Sequence, residues 1–336
     1  MLDCYIESFK TGSIKKHIES QRWWVKDKKP VVETNIGWVE TYIDPMGVRA
    51  YFEVILLFYL KGFVAISDKE KTKKFNILVE NAEKLISSLP WSKDFEKLSF
   101  ISPDFTALDV VTFASTGCPI GINIPNYPEV QETDGFKNVS LSNAYPKLNS
   151  ENLIFCQEKD VELLVNLGSQ SYVMHVACHE LLGHGTGKLF RKNEKGEFNF
   201  DHSSVINPLT NQLIESWYEE SETFESKFTD ISRSMEELRA DLSGLYFTLF
   251  KEVHEIFQFD ENNYKDIVYS NWLLYIRKGV LGLSLYNEEV KRWGQAHTQG
   301  AWVFVQFLLE NQVEGQEILT VTMNEEKNDF TINLNK

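Results

Sequence analysis

The segment HVACHELLGHGTGKLF (175–190) combines histidines and a glutamate at a spacing that suits a metal site. His179 and His184 are five residues apart, whereas a regular helix presents two histidines to one ion most easily at i and i+4. With about 3.6 residues per turn, side chains at i and i+5 diverge by about 140°. A π-bulge absorbs one extra residue and restores a shared face, and Gly183 permits that distortion at little steric cost. The spacing therefore indicates a metal site on a helix with one widened turn.

Glu180 directly follows the first of these histidines and is the acid–base candidate of the site. Its carboxylate can take the proton of an attacking water and later deliver it to a leaving amine. A third ligand is expected from SMEELRADLSG (234–244), which offers Glu236, Glu237 and Asp241. One glutamate can ligate, and the flanking acids can accept hydrogen bonds from the histidines and fix their tautomers. The alternative is a core helix with stray histidines and an acidic helix face exposed to solvent.

The elements expected to position these residues are mainly helical. The predicted helical regions are 67–89, 171–185, 221–257, 264–287 and 288–313. Two alternating segments around a polar turn predict a β-hairpin at 318–334. Residues 91–150 are rich in Pro, Gly and Asn and are expected to form a long irregular segment, which in a compact chain is usually functional.

Composition restricts the class of protein. The 336 residues include 34 Lys and Arg against 49 Asp and Glu, a net charge of −15. This charge disfavours nucleic acids and anionic membranes as partners but suits a cationic group such as a peptide amine. The four cysteines form no C-x-x-C pair, the chain start lacks a signal-peptide pattern, and the apolar run 54–60 is too short to span a bilayer. We therefore expect a soluble, cytoplasmic protein whose oligomeric state is left open.

Two motifs resemble one known family. HELLGHGTGKLF (179–190) and EELRAD (236–241) closely resemble the signature motifs of the dipeptidyl peptidase III family of zinc aminopeptidases. The resemblance extends in the same order over nearly the whole chain, through DKKPVVETNIGWVETYIDPMGVRAYFE, SPDFTALDVVTFA, GINIPNY, GFKNVSL and WGQAH.

This resemblance implies a role for each matching residue. One zinc ion per chain would be held by His179, His184 and Glu237, with Glu180 as the general base. The acids expected to support the zinc ligands are Glu236 and Asp241. The residues expected beside the scissile carbonyl are Tyr42, which stabilises the oxyanion, and His297. The expected substrate-binding residues are Glu40, Asn123 and Asn126, which hold the free amine, and Glu53 and Glu225 at further acidic subsites.

The resemblance also implies an α+β, mostly helical fold. A helical zinc-binding lobe (61–106 and 151–336) is expected to face an incomplete β-containing lobe (1–60 and 107–150) across a cleft. The chain resembles the central half of a family member. Ala301 occupies a position where the family commonly carries an arginine.

The resulting hypothesis is a zinc metallopeptidase that releases dipeptides from the N-termini of oligopeptides. The alternative is a non-catalytic or incomplete zinc-binding homologue that binds peptides or needs a missing partner half.

Overall fold

A computed structural model describes residues 1–28, 30–38, 60–97, 104–114, 120–124, 130, 134, 136–145, 147–324 and 329–335. Its helices are α1 Leu2–Thr11, α2 Ile14–Lys26, α3 Lys69–Ile86, α4 Glu158–Leu163, α5 Ser169–Cys178, α6 Phe224–Phe228, α7 Ser232–Phe247, α8 Lys251–Phe257, α9 Tyr264–Gly282 and α10 Ala296–Glu310. Two π-helical turns, Leu164–Gly168 and His179–Gly183, extend α4 and α5.

The strands fall into one larger sheet and several two-stranded ribbons. The sheet strands are β1 Val32–Trp38, β2 Leu60–Ser67, β3 Asp104–Ala114, β4 Gly121–Ile124 and β5 Lys137–Leu141. The ribbon strands are β6 Arg191–Lys192, β7 Ile206–Asn207, β8 Gln212–Leu213, β9 Tyr218–Glu219, β10 Tyr286–Asn287, β11 Arg292–Trp293, β12 Leu319–Asn324 and β13 Asp329–Leu334.

The sheet has the strand order β1-β2-β3-β5-β4. β3 and β5 are parallel, and the other neighbouring pairs are antiparallel. Trp24 and Val25 of α2 cover one face and share a hydrophobic core with sheet residues such as Val139. Among the described strands β1 and β4 are the outer ones, and each pairs on one side only with another described strand.

The opposite sheet face packs on the helices. Phe105 and Ala107 of β3 belong to the core that contains Phe75 of α3 and Met174 of α5. α3 begins where it does because the Asp68 side chain accepts hydrogen bonds from the first backbone N–H groups of the helix. A further core joins α7, α9 and α10 to the hairpin β12–β13.

The α+β, mostly helical prediction is confirmed, and no closed barrel occurs among the described residues. The hairpin at 318–334 is confirmed in β12 and β13. The expectation of an irregular segment at 91–150 is wrong, because β3, β4 and β5 lie there. The expected helical region 221–257 is interrupted between Phe247 and Lys251.

The expected lobe boundaries stay a prediction. β2 and β3 both belong to the sheet, so the sheet draws on residues to either side of α3. In the part of the chain that the structure covers, no helix is long and apolar enough to cross a membrane.

Candidate metal centre

The turn that carries the two motif histidines is π-helical. The backbone N–H of His184 donates to the carbonyl of His179 over 3.0 Å, a hydrogen bond that spans five residues. This confirms the widened turn predicted from the spacing. A Cβ added at Gly183 would lie 2.6 Å from the carbonyl oxygen of Ala240, so the glycine is also needed for the close approach of α7.

The Nε2 atoms of His179 and His184 both lie close to one carboxylate oxygen, Oε2 of Glu237. Glu237 Oε2 lies 3.3 Å from His179 Nε2 and 3.6 Å from His184 Nε2. One ligand atom from each of these three residues lies within 4.8 Å of the others. The helices α5 and α7 therefore bring the three predicted ligands together.

The other ring nitrogens contact two further acids on α7. His179 Nδ1 lies 2.7 Å from Asp241 Oδ1, and His184 Nδ1 lies 2.9 Å from Glu236 Oε1. A neutral imidazole that donates from Nδ1 keeps its Nε2 lone pair, which is the form that binds a metal. In the neutral imidazole, these two contacts therefore favour the tautomer that leaves the Nε2 lone pair for a metal ion on the side of Glu237.

These residues fit a zinc ion. Bonds of about 2.1 Å at tetrahedral angles place neighbouring ligand atoms about 3.4 Å apart, close to the two distances measured to Glu237 Oε2. That oxygen is buried, and no described residue donates a hydrogen bond to it. A buried carboxylate oxygen without a hydrogen bond is costly unless a cation completes its surroundings.

A second grouping of possible ligands consists of His175, His179 and Asp241. In this grouping Asp241 Oδ1 already lies 2.7 Å from one imidazole and 3.3 Å from the other, and all three side chains are buried. In this second grouping, Asp241 therefore serves as a hydrogen-bond partner that orients His179, one of the three residues of the first grouping.

The acids of the site keep their negative charge despite burial. Burial opposes ionisation of Glu237, but the neighbouring imidazoles, led by His297, outweigh it and lower the pKa to about 2. Burial likewise opposes ionisation of Asp241, but Lys278 and His179 hold its pKa well below the usual range. The carboxylates of Glu237 and Asp241, which contact the imidazole of His179, are therefore both negatively charged.

Two cations that sequence reasoning missed support this arrangement. The guanidinium of Arg239 donates to both oxygens of Glu236 and to the carbonyls of Gly183 and Thr186. It ties one supporting acid to the end of the π-helical turn. Its place three residues after Glu236 on one helix is a signal that could have found it. The ammonium of Lys278 lies 3.3 Å from Asp241 Oδ2, and because it comes from α9, no local pattern indicates it.

The two further catalytic candidates in the described residues lie at this centre. Glu180 belongs to the π-helical turn and is half-buried, with its carboxylate against Gly121 of β4. His297, the second residue of α10, places Nδ1 3.4 Å from Glu237 Oε2.

For the other predicted site residues, the structure does not describe the side chains. Those outside the described residues are Tyr42, Glu40, Glu53 and Asn126. Those for which only the backbone is described are Asn123, in β4, and Glu225, in α6. Ala301, where the family resemblance puts an arginine, is fully buried in the core between α9 and α10.

The fold and this centre together define an α+β protein with a helix-borne site of two histidines and one glutamate, suited to a metal ion. Comparison with protein families matches residues 1–336 to Peptidase family M49. The chain belongs to Peptidase family M49.

Characterised relatives agree with this assignment. The chain is 48% identical over 326 residues to dipeptidyl peptidase 3 of Homo sapiens, covering 96% of this chain and 43% of that protein. It is 42% identical over 344 residues to dipeptidyl peptidase 3 of Dictyostelium discoideum, covering 100% of this chain and 48% of that protein. The chain thus spans less than half the length of these relatives.

A solved structure shows the same fold. DPP III from Caldithrix abyssi matches with a TM-score of 0.65 at 18% identity, covering 98% of this chain and 53% of that chain.

Proposed function

We propose that this chain is a zinc-dependent peptidase that releases dipeptides from the N-termini of oligopeptides. The observation that carries the proposal is the approach of two imidazole Nε2 atoms to the buried Oε2 of Glu237, which accepts no hydrogen bond from the described residues. Family membership and the names of the relatives supply the reaction class.

The proposed metal ligands are His179, His184 and Glu237. When bound, the ion supplies Lewis acidity toward the scissile carbonyl and the attacking water. Asp241 and Glu236 hold the two imidazoles in the tautomers that ligation needs, and Lys278 and Arg239 keep those acids charged and oriented.

Proton transfer is assigned to Glu180. Its carboxylate takes a proton from the attacking water and delivers it to the leaving amine, a role worth about 10²- to 10⁴-fold in rate. Tyr42 and His297 act as donors toward the oxygen on which charge develops.

Recognition of the free substrate amine is assigned to Glu40, Asn123 and Asn126, with Glu53 and Glu225 at further subsites. The net charge of −15 favours a cationic substrate end.

Turnover of a dipeptidyl-arylamide, and of an oligopeptide with a free or an acetylated N-terminus, tests the proposal. The expected result is release of dipeptides from the free peptide only, with a loss of at least about 100-fold in Glu180→Ala. The matched control is Glu255→Ala, which changes an exposed glutamate on α8. Equal rates in Glu180→Ala and the unmodified chain contradict the proposal.

The alanine at position 301, where the family commonly carries an arginine, favours a second candidate, a zinc-binding homologue that binds peptides without cleaving them. One zinc ion per chain and saturable peptide binding without product would select it.

A further inference from the structure

Gly121 lies directly against the carboxylate assigned as the proton acceptor. A Cβ built on this glycine would lie 2.5 Å from Glu180 Oε1, 3.0 Å from Cδ and 3.1 Å from Cγ. The three nearest atoms thus all belong to the end of one side chain. Glu180 in this position and a side chain at residue 121 exclude each other.

This requirement comes from packing between elements, since Gly121 does not have a left-handed backbone. Gly62, in β2 of the same sheet, provides a comparison. A Cβ there would meet its nearest atoms at 3.8 and 3.9 Å, which is ordinary contact. A glycine inside a strand often marks a close approach by another group, and here that group is Glu180.

The strand on which Gly121 lies cannot easily retreat. Gly121 is paired with Ser140 of β5, and the N–H of Leu141 donates to the carbonyl of Ile120 over 2.7 Å. The next residue, Ile122, is buried in the sheet core. An added methyl group would therefore be accommodated by moving the Glu180 side chain.

We propose that Gly121 is a positioning residue that lets the edge strand β4 hold the Glu180 carboxylate at the metal centre. The consequence for catalysis rests on the proposed function, whereas the contact itself does not. Ordinary contact distances of about 3.5 Å imply a carboxylate displacement of about 1 Å in Gly121→Ala. A misplacement of this size can cost about 100-fold in rate.

The kinetic test compares Gly121→Ala with the control Gly62→Ala on a dipeptidyl-arylamide. Gly121→Ala is expected to lower kcat about 100-fold, to change KM less than about threefold and to keep the zinc content of the unmodified chain. Gly62→Ala is expected to keep both kinetic constants. An unchanged kcat in Gly121→Ala, or a loss that lies in KM, overturns the proposal.

A stability cycle tests the contact without using activity, so it is informative even if the unmodified chain shows no turnover. Urea unfolding is measured for the unmodified chain, Gly121→Ala, Glu180→Ala and the double variant. Gly121→Ala is expected to raise the unfolding equilibrium constant at least about threefold more when Glu180 is present than when Ala occupies position 180. Equal effects in both backgrounds overturn the proposal. If Gly121→Ala alone does not fold, folding of the double variant supports the proposal and its failure to fold overturns it.

Discussion

Lys278 Nζ lies 3.3 Å from Asp241 Oδ2, while the other oxygen of the same carboxylate lies 2.7 Å from His179 Nδ1. The ammonium thus balances the charge of the acid that orients one proposed metal ligand. Burial disfavours the charged form of Lys278, but Asp241 raises its pKa above the ordinary value.

Lys278→Met is expected to lower the free energy of unfolding by about 2–3 kcal/mol. This lies below the cost of breaking a fully buried pair, about 3–5 kcal/mol, because Lys278 is 29% exposed. Zinc affinity should fall about tenfold, because Asp241, which orients His179, loses the cation beside its other oxygen. Chemical denaturation and chelator competition measure the two effects. The control Lys251→Met breaks an exposed pair with Glu261 and should change stability by no more than about 0.5 kcal/mol. Equal effects of both substitutions would contradict this account.

Gly183→Ala tests how closely α7 approaches the π-helical turn. The added Cβ would lie 2.6 Å from the oxygen and 2.8 Å from the Cα of Ala240. Because these Ala240 atoms belong to the backbone, a side-chain rotation cannot relieve the overlap. The free energy of unfolding should therefore fall by about 1–3 kcal/mol. Ala240→Gly should not restore it, because the conflict does not involve the side chain of Ala240. Thermal or urea unfolding of the single and double variants measures the change in stability. Recovery of the original stability in the double variant would contradict a contact between the added Cβ and the backbone of Ala240.

One source of pH-dependent stability outside the metal centre is His254. Its Nε2 donates to the carbonyl of Thr248 over 2.7 Å, and its Nδ1 is buried with no hydrogen-bond partner in the described part of the chain. Burial lowers the pKa of this histidine, although the Thr248 carbonyl partly opposes the shift. The unfolded chain therefore takes up a proton near pH 6.5, where the folded chain does not.

The contribution of His254 is fully present above about pH 6.5 and is lost as the pH falls through the lower folded pKa. His254→Gln keeps a donor for Thr248 but cannot titrate. The loss of stability between pH 7.5 and 5, measured by urea unfolding at saturating zinc, should be smaller in this variant. Identical pH profiles for the variant and the unmodified chain would rule out the assignment.

Local sequence pattern was sufficient to predict those elements whose structure depends on residues close together in the chain. The spacing of His179 and His184 with Gly183 between them predicted the widened turn, and the alternation at 318–334 predicted the hairpin. The motifs left the third ligand open among Glu236, Glu237 and Asp241, and only the family resemblance predicted that Glu237 joins the two histidines.

Local pattern failed where the partners lie far apart in sequence. In β5 the polar residues Lys137, Asn138 and Ser140 are as buried as Val139 and Leu141, so the polar positions of this strand do not mark a solvent-exposed face. Lys137 in this strand looks like a surface residue, yet its ammonium lies 3.0 Å from Glu33 Oε2. The roles of Lys278 and Gly121 likewise depend on contacts between separate elements, which a linear pattern does not contain.

The central claim is that His179, His184 and Glu237 hold one zinc ion. X-ray absorption at the zinc edge of the loaded chain, with metal content measured on the same sample, tests it most directly. The account predicts one zinc ion per chain, with nitrogen neighbours at about 2.0–2.1 Å and carboxylate oxygen at about 2.0–2.2 Å. It also predicts a clear loss of zinc affinity in Glu237→Gln but not in Glu255→Gln. Absence of stoichiometric zinc, or an unchanged coordination shell and affinity in Glu237→Gln, would contradict it.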